Sequence, residues 1–146
     1  MAFLPALDRA KRTRALKVLV VDDNRDAADS LAMLVRLGGH QVHVAYTGSV
    51  ALLLAQQQKP DVVLLDIGLP RVDGYQVIET LRKRPETKDA LIVAVTGHGT
   101  AADRRRSLQA GFDLHLVKPI EIEPLLRFIG GDPSFSIEQR TIHYAY

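Results

Sequence analysis

The chain has 146 residues, which is enough for one domain with a complete hydrophobic core. It contains no cysteine, and this excludes disulfide bonds, thiolate chemistry and cysteine-based zinc sites. Its apolar runs are far shorter than the roughly 20 residues that span a bilayer, and no signal peptide opens the chain, so we expect a cytoplasmic protein without a membrane partner.

The net charge of +2 is distributed unevenly along the chain. Residues 1–17 hold five basic residues and one acidic residue, a local charge of +4, so residues 18–146 sum to −2. We predict a basic N-terminal arm over residues 1–15, which is either solvated or used for docking to a partner or at a membrane surface. Because the rest of the chain has no basic stripe interleaved with aromatic residues, we expect no nucleic-acid partner.

Short apolar runs alternate with segments of helical periodicity along the rest of the chain. Asn24 and Thr47 are suited to cap the first two helices, and Gly38-Gly39 and Pro60 to end them. The predicted strands cover residues 16–21, 41–46, 62–65, 91–95 and 114–117. The predicted helices cover residues 25–37, 48–58, 75–84, 101–110 and 122–129.

Five strand–helix units with continuous apolar strands predict a parallel sheet that is covered on both faces. Right-handed crossovers then leave few topologies, and we predict the flavodoxin-like order 2-1-3-4-5 in an α/β three-layer (βα)5 sandwich. This domain is expected to cover residues 16–130. A tail of residues 131–146 follows it, and it is too short to form an output domain.

Polar or charged residues stand at the ends of four predicted strands. In an open α/β sheet, ligands bind beyond the carboxyl ends of the strands, near the point where the strand order reverses. We therefore expect three carboxylates, one hydroxyl and one ammonium group to converge on one edge of the sheet. These residues are Asp22 and Asp23 after the first strand, Asp66 after the third, Thr96 after the fourth and Lys118 after the fifth.

The expected group of carboxylates calls for a cation, because three neighbouring acids repel one another. A few oxygen ligands completed by water suit Mg²⁺. A carboxylate beside Mg²⁺ and the ammonium of Lys118 can attack a phosphoryl group and form an aspartyl phosphate. Metal and ammonium would stabilise charge on the phosphoryl oxygens, and Thr96 could donate a hydrogen bond to one of them.

Five short motifs, in order along the chain, resemble the receiver domain of two-component response regulators. The resemblance covers about residues 16–130. The motifs are Val20-Val21-Asp22-Asp23-Asn24, Leu64-Leu65-Asp66-Ile67-Gly68-Leu69-Pro70, Asp73-Gly74, Val95-Thr96-Gly97 and Val117-Lys118-Pro119.

The resemblance implies a role for each matching acid. Asp66 is expected to accept the phosphoryl group. The magnesium ligands are expected to be Asp22, Asp23, Asp66 and the backbone carbonyl of Gly68.

The resemblance also implies roles for the ends of the fourth and fifth strands. Thr96 would be the switch hydroxyl, next to Gly97 in the phosphoryl-binding and switch segment. Lys118 would contact the phosphoryl group, and the Lys118–Pro119 peptide bond is expected to be cis.

The implied function is phosphorelay signalling. The phosphoryl donor would be a phosphohistidine on a histidine kinase or a histidine phosphotransfer protein, and phosphorylation would change partner binding. A homodimer through the fourth and fifth helices is a further implied partner. The chain would not be an enzyme for a separate substrate, since it would catalyse only its own phosphoryl transfer and autodephosphorylation.

One residue departs from the usual receiver pattern. Three positions before the lysine, where many receivers have Tyr or Phe as a rotating switch residue, this chain has His115. A histidine there could make the switch sensitive to pH. Together with Arg104–Arg106, the segment from His115 to Pro119 resembles the receivers of hybrid histidine kinases.

Three other functions compete with the signalling switch. The first is a phosphotransfer relay or phosphate sink without its own output. The second is an aspartate-based phosphatase, which is disfavoured because Gly68 stands where a second acid is usual. The third is a nucleotide- or flavin-binding protein, which is disfavoured because no glycine-rich phosphate loop follows the first strand.

Overall fold

The structure is a computed structural model that describes residues 15–97 and 99–130. The predicted tail and all of the predicted basic arm except Ala15 lie outside the described residues. The prediction of a domain over residues 16–130 therefore concerns the described part of the chain.

Five parallel strands form the sheet, in the order β2-β1-β3-β4-β5, and this confirms the predicted topology. All five residues of β3 are buried because this central strand has neighbours on both edges and helices on both faces. The strands are β1 (Lys17–Val21), β2 (Gln41–Ala45), β3 (Val62–Asp66), β4 (Leu91–Thr96) and β5 (Leu114–Val117).

Each strand is followed by a helix. The side chain of Asn24 accepts a hydrogen bond from the α1 backbone, and that of Thr47 accepts one from the α2 backbone, which confirms both predicted caps. Within residues 15–97 and 99–130, no helix is long and apolar enough to cross a membrane. The helices are α1 (Arg25–Leu37), α2 (Gly48–Gln58), α3 (Gly74–Lys83), α4 (Ala101–Ala110) and α5 (Ile122–Ile129).

The core lies in two layers, one on each face of the sheet. Alternation along β1 sends Val18 and Val20 toward a cluster that contains residues of α1 and α5. Leu19 and Val21 point the other way, into a cluster with residues of α2 and α3. This arrangement is the predicted three-layer sandwich.

The carboxyl ends of β2, β3 and β4 differ from the predicted ends by one residue, whereas β5 has the predicted bounds. Strand β3 includes Asp66, which pairs in register with Val95, and β4 includes Thr96. The prediction ended these strands at the change from apolar to polar side chains, but backbone pairing continues past that change. Tyr46 lies outside β2, and its hydroxyl donates a 2.6 Å hydrogen bond to Asp29 on α1.

Arg82 on α3 joins three segments at the edge of the sheet where β4 and β5 begin. Its guanidinium donates two hydrogen bonds to the carbonyl of Gly111, at 3.0 and 2.8 Å. Three more go to the carbonyls of Lys88 and Ala90 and to the carboxylate of Asp113, at 2.9, 2.7 and 2.8 Å. All five N–H groups of the side chain are thereby used.

Candidate functional site

The expected convergence of acids occurs at the carboxyl edge of the sheet. Carboxylate oxygens of Asp22, Asp23 and Asp66 lie within 4.8 Å of one another. Asp22 and Asp66 are only 6% and 8% exposed, whereas Asp23 is exposed. Asp66 is the last residue of β3, so its position is set by a fully buried central strand of the sheet.

Each of the two buried carboxylates accepts a hydrogen bond from a backbone N–H two residues further along the chain. The backbone N–H of Asn24 donates to Oδ1 of Asp22 at 3.0 Å, and that of Gly68 donates to Oδ1 of Asp66 at 2.9 Å. The Oδ2 atoms of both acids face Lys118, whose Nζ lies 2.8 Å from Asp22 and 3.4 Å from Asp66. Lys118 therefore bridges the acids that follow β1 and end β3.

The two charges at the centre of the site influence each other's ionisation. Burial raises the pKa of Asp66, and the charge of Asp22 adds to this, against the opposing effects of the Gly68 N–H and the Lys118 charge. Burial alone would lower the pKa of Lys118, but its hydrogen bond with Asp22 and the charges of Asp66 and Asp22 together raise it. The three carboxylates Asp22, Asp23 and Asp66 carry more negative charge than Lys118 can neutralise, so a bound cation would reduce their mutual repulsion.

The donor set fits a magnesium ion. Carboxylate oxygens are hard ligands, and this cluster contains no imidazole or thiolate that would favour a transition metal. Asp22, Asp23 and Asp66 are the residues that would hold the ion. The carbonyl ligand from Gly68 stays a prediction, although the Gly68 N–H contacts Asp66 directly.

The other predicted site residues lie at the ends of β4 and β5. Thr96 is 4% exposed, and its carbonyl accepts a 2.8 Å hydrogen bond from the backbone N–H of Lys118, which ties the two strand ends together. The Lys118–Pro119 peptide bond is cis. Gly97 directly follows β4, and the roles of Thr96 and Gly97 toward a phosphoryl group stay predictions.

His115 is buried on β5, and it is hydrogen-bonded to a residue that the sequence did not single out. Its Nδ1 lies 2.8 Å from Oγ of Ser107 on α4, and the two residues are 4% and 0% exposed. A lone serine in a helix gives no sequence signal of such a contact.

Close backbone contacts position the loop that follows Asp66. A side chain at Gly74 would collide with Ile67, and one at Gly48 would place its Cβ 2.5 Å from the carbonyl oxygen of Val72. The first turn of α2 therefore packs directly on the loop between β3 and α3. Neither of these contacts was predicted from the sequence.

A sheet in this order, with three acids, a hydroxyl and a lysine at its carboxyl edge, is the architecture of a receiver domain. Residues 18–129 match the family described as the response regulator receiver domain. The chain therefore belongs to that family, as the sequence motifs implied.

Curated relatives resemble the chain over this same region. The DNA-binding dual master transcriptional regulator RpaA of Synechocystis sp. is 32% identical over 110 residues, which are 75% of this chain and 46% of that protein. Response regulator MprA of Mycolicibacterium vanbaalenii is 37% identical over 111 residues, which are 76% of this chain and 47% of that protein. The chain thus spans about half the length of the curated relatives that it matches.

Solved receiver structures superpose on the chain. The chemotaxis response regulator CheY4 of Vibrio cholerae has a TM-score of 0.72 and 29% identity, and the match covers 79% of this chain and 95% of that one. The receiver domain of sensor histidine kinase PA1611 from Pseudomonas aeruginosa has a TM-score of 0.72 and 28% identity, with 81% and 99% covered. That structure has a magnesium ion coordinated in its active site cleft.

Proposed function

We propose that this receiver accepts a phosphoryl group on Asp66, with the aid of Mg²⁺, and that phosphorylation changes its affinity for a partner. The observation that carries the proposal is the position of Asp66, which is buried at the end of β3 and shares the ammonium of Lys118 with Asp22. Its carboxylate is held by the Gly68 N–H through Oδ1 and faces the ammonium of Lys118 through Oδ2.

The phosphoryl donor in this proposal is a phosphohistidine on a histidine kinase or a histidine phosphotransfer protein. A carboxylate oxygen of Asp66 attacks phosphorus, the P–N bond breaks, and the imidazole nitrogen leaves with the bonding electron pair. Lys118 is close enough to donate to a phosphoryl oxygen once its bond to Asp66 is released. Thr96 donates a further hydrogen bond and links the product to β4.

Magnesium held by Asp22, Asp23 and Asp66 would neutralise the negative charge that crowds the site during transfer. The residues support this because their carboxylate oxygens already lie within 4.8 Å of one another. In this proposal the chain has no separate substrate to turn over, so it is not an enzyme beyond its own phosphorylation and autodephosphorylation.

The proposed output is a change of partner binding near α4 and α5, including dimerisation through those helices. DNA binding is stated in the name of one relative, RpaA, of which this chain matches about half. We propose no nucleic-acid contact for the described residues themselves, because some of their basic side chains already bind other side chains of the domain. Arg82 forms an ion pair with Asp113, and the guanidinium of Arg106 lies over the ring of Tyr75.

Intact-mass spectrometry tests the proposal. After incubation with Mg²⁺ and a small phosphodonor such as acetyl phosphate, the wild-type chain should gain one phosphoryl group, and chelation of the metal should prevent this. Asp66→Asn should abolish the gain, while Asp89→Asn, a matched change at an exposed loop acid, should not. A gain that persists in Asp66→Asn, or no gain where a known receiver is modified, would refute the proposal.

A relay is the second candidate, and the similarity to the receiver of sensor histidine kinase PA1611 favours it. In a relay, the phosphoryl group passes from Asp66 to a histidine of a downstream phosphotransfer protein. When the phosphorylated chain is mixed with unphosphorylated phosphotransfer protein, Asp66 should then lose its phosphoryl group faster than it does by hydrolysis alone. Equal rates of loss with and without that protein would exclude the relay.

A further inference from the structure

Helix α4 has an unusual contact with the sheet. Among its ten residues, all of which the structure describes, Ser107 is the only one that is buried. Helix α3, of the same length, buries Val77, Ile78 and Leu81 instead. The centre of α4 therefore meets the sheet through a hydroxyl group rather than through an apolar side chain.

The partner of this hydroxyl is the imidazole of His115. The Ser107 Oγ lies 2.8 Å from Nδ1 of His115 and 2.9 Å from the carbonyl oxygen of Arg104 in the preceding turn. The hydroxyl has one proton, and a carbonyl can only accept. The two contacts can both be hydrogen bonds in one arrangement. In it, the Ser107 hydroxyl donates its proton to the Arg104 carbonyl, and Nδ1 of His115 carries a proton that it donates to Ser107 Oγ.

We propose that Ser107 is a positioning residue that holds His115 as the Nδ1–H tautomer in its inward orientation, so that a buried hydrogen bond joins α4 to β5. The position that is occupied by a rotating side chain in many receivers is then a fixed attachment point for α4. Buried polar groups that are fully paired favour a single arrangement.

The attachment lies on the same face of the sheet as the predicted switch hydroxyl. His115 pairs in register with Ala94, and Thr96 lies two residues further along β4, so both side chains project from that face. A displacement of Thr96 or of the end of β5 therefore reaches α4 through the His115–Ser107 bond. This consequence for signalling rests on the proposed function, whereas the tautomer and its cause do not.

Nitrogen-15 NMR of the full chain tests the assignment without any phosphorylation. Long-range proton–nitrogen spectra distinguish the two neutral tautomers of histidine, and His115→Phe identifies the signals of His115 by their loss. We expect the Nδ1–H tautomer in the wild type. The Nε2–H tautomer in the wild type would overturn the proposal, and this measurement requires no variant of Ser107 to fold.

Substitutions at Ser107 test the cause. Ser107→Ala should abolish the preference for the Nδ1–H tautomer, and Ser107→Thr, which keeps the hydroxyl, should restore it. Thr80→Ala is the matched control, because it removes a hydroxyl that bonds to its own helix backbone on α3. An unchanged tautomer in Ser107→Ala would show that Ser107 does not position the ring.

The signalling consequence is tested with Mg²⁺ and beryllium fluoride, a phosphoryl mimic. In the wild type, amide signals of α4 and the imidazole signals of His115 should shift together. In Ser107→Ala the α4 shifts should be lost or reduced while acetyl phosphate still adds the same mass at Asp66. Full α4 shifts in this variant would overturn the coupling. If the wild type gains no phosphoryl mass, the proposed function fails and the tautomer result still stands.

Discussion

The ammonium of Lys118 lies 2.8 Å from a carboxylate oxygen of Asp22, a residue 96 positions earlier in the chain. Its distance to the proposed acceptor, Asp66, is longer at 3.4 Å. Before phosphorylation, the lysine thus neutralises an acid of the metal site more closely than the acid that is expected to react. This arrangement limits the repulsion between the two buried acids.

Removing the charge of Lys118 should destabilise the chain in the absence of metal. Lys118→Met leaves Asp22 and Asp66 buried without their cation, and we expect the free energy of unfolding to fall by about 1–2 kcal/mol, allowing for the partial exposure of the lysine. Urea unfolding at neutral pH with a chelator measures this. Lys83→Met, which removes the exposed ion pair with Glu79, should cost much less; equal losses would contradict the role given to Lys118.

Neutralising Asp66 should have the opposite effect. Because burial raises its pKa, ionised Asp66 opposes folding, and Asp66→Asn should raise the melting temperature by about 3–5 °C, equal to roughly 1 kcal/mol. The folded state binds this proton more readily than the unfolded state, whose pKa stays near 3.8. The excess stability of Asp66→Asn over the wild type should therefore be largest at neutral pH, and it should decrease as the pH falls through the raised pKa of Asp66.

Calorimetry with and without Mg²⁺ provides the second half of that test. Metal binding should stabilise the wild type more than Asp66→Asn, since one proposed ligand loses its charge in the variant. A variant less stable than the wild type in the absence of metal would show that Asp66 contributes to folding rather than opposing it.

Gly48 should affect the site although it lies on another element. Gly48→Ala places a Cβ 2.5 Å from the carbonyl oxygen of Val72, so the loop that carries Gly68 must move. We expect slower phosphorylation by acetyl phosphate and weaker Mg²⁺ binding, measured by mass spectrometry and calorimetry. Ser49→Ala, an exposed neighbour in the same helical turn, is the control and should match the wild type. Wild-type rates in Gly48→Ala would mean that the loop does not depend on this contact.

His40 should make stability depend on pH at the edge of the domain. Its Nδ1 accepts a 3.1 Å hydrogen bond from the backbone N–H of Leu16, and burial lowers its pKa below the ordinary 6.5. As the pH falls, His40 is protonated in the unfolded state before it is protonated in the folded state. The stability that neutral His40 contributes is therefore fully present above pH 6.5 and is lost as the pH falls toward the lower pKa of the folded state. Lowering the pH from about 7.5 to about 5.5 should therefore reduce the free energy of unfolding.

Urea unfolding across that range, for the wild type and two variants, checks the assignment. His40→Gln should show a smaller change with pH than the wild type. His43→Gln, an equivalent change on the edge strand β2, should keep the wild-type dependence. If the stability of all three proteins changed equally with pH, His40 would not be the source of the pH dependence.

The sequence predicted those features that depend on short-range patterns. Continuous apolar runs closed by Asp66 or Lys118 indicated both the parallel strands and the edge at which their ends meet. The motif around each acid then indicated the family. Contacts between distant elements gave no such signal, because a single serine at position 107 or arginine at position 82 has the same local pattern whether it is solvated or buried.

Arg82 has a consequence for how α4 can move. Gly111 directly follows α4, and its carbonyl is bound by two N–H groups of Arg82, so the carboxyl-terminal end of the helix is anchored to α3. The opposite end begins after Thr100, four positions beyond Thr96 in the chain. We therefore expect any displacement of α4 to be smallest at this anchored end and largest in its first turn.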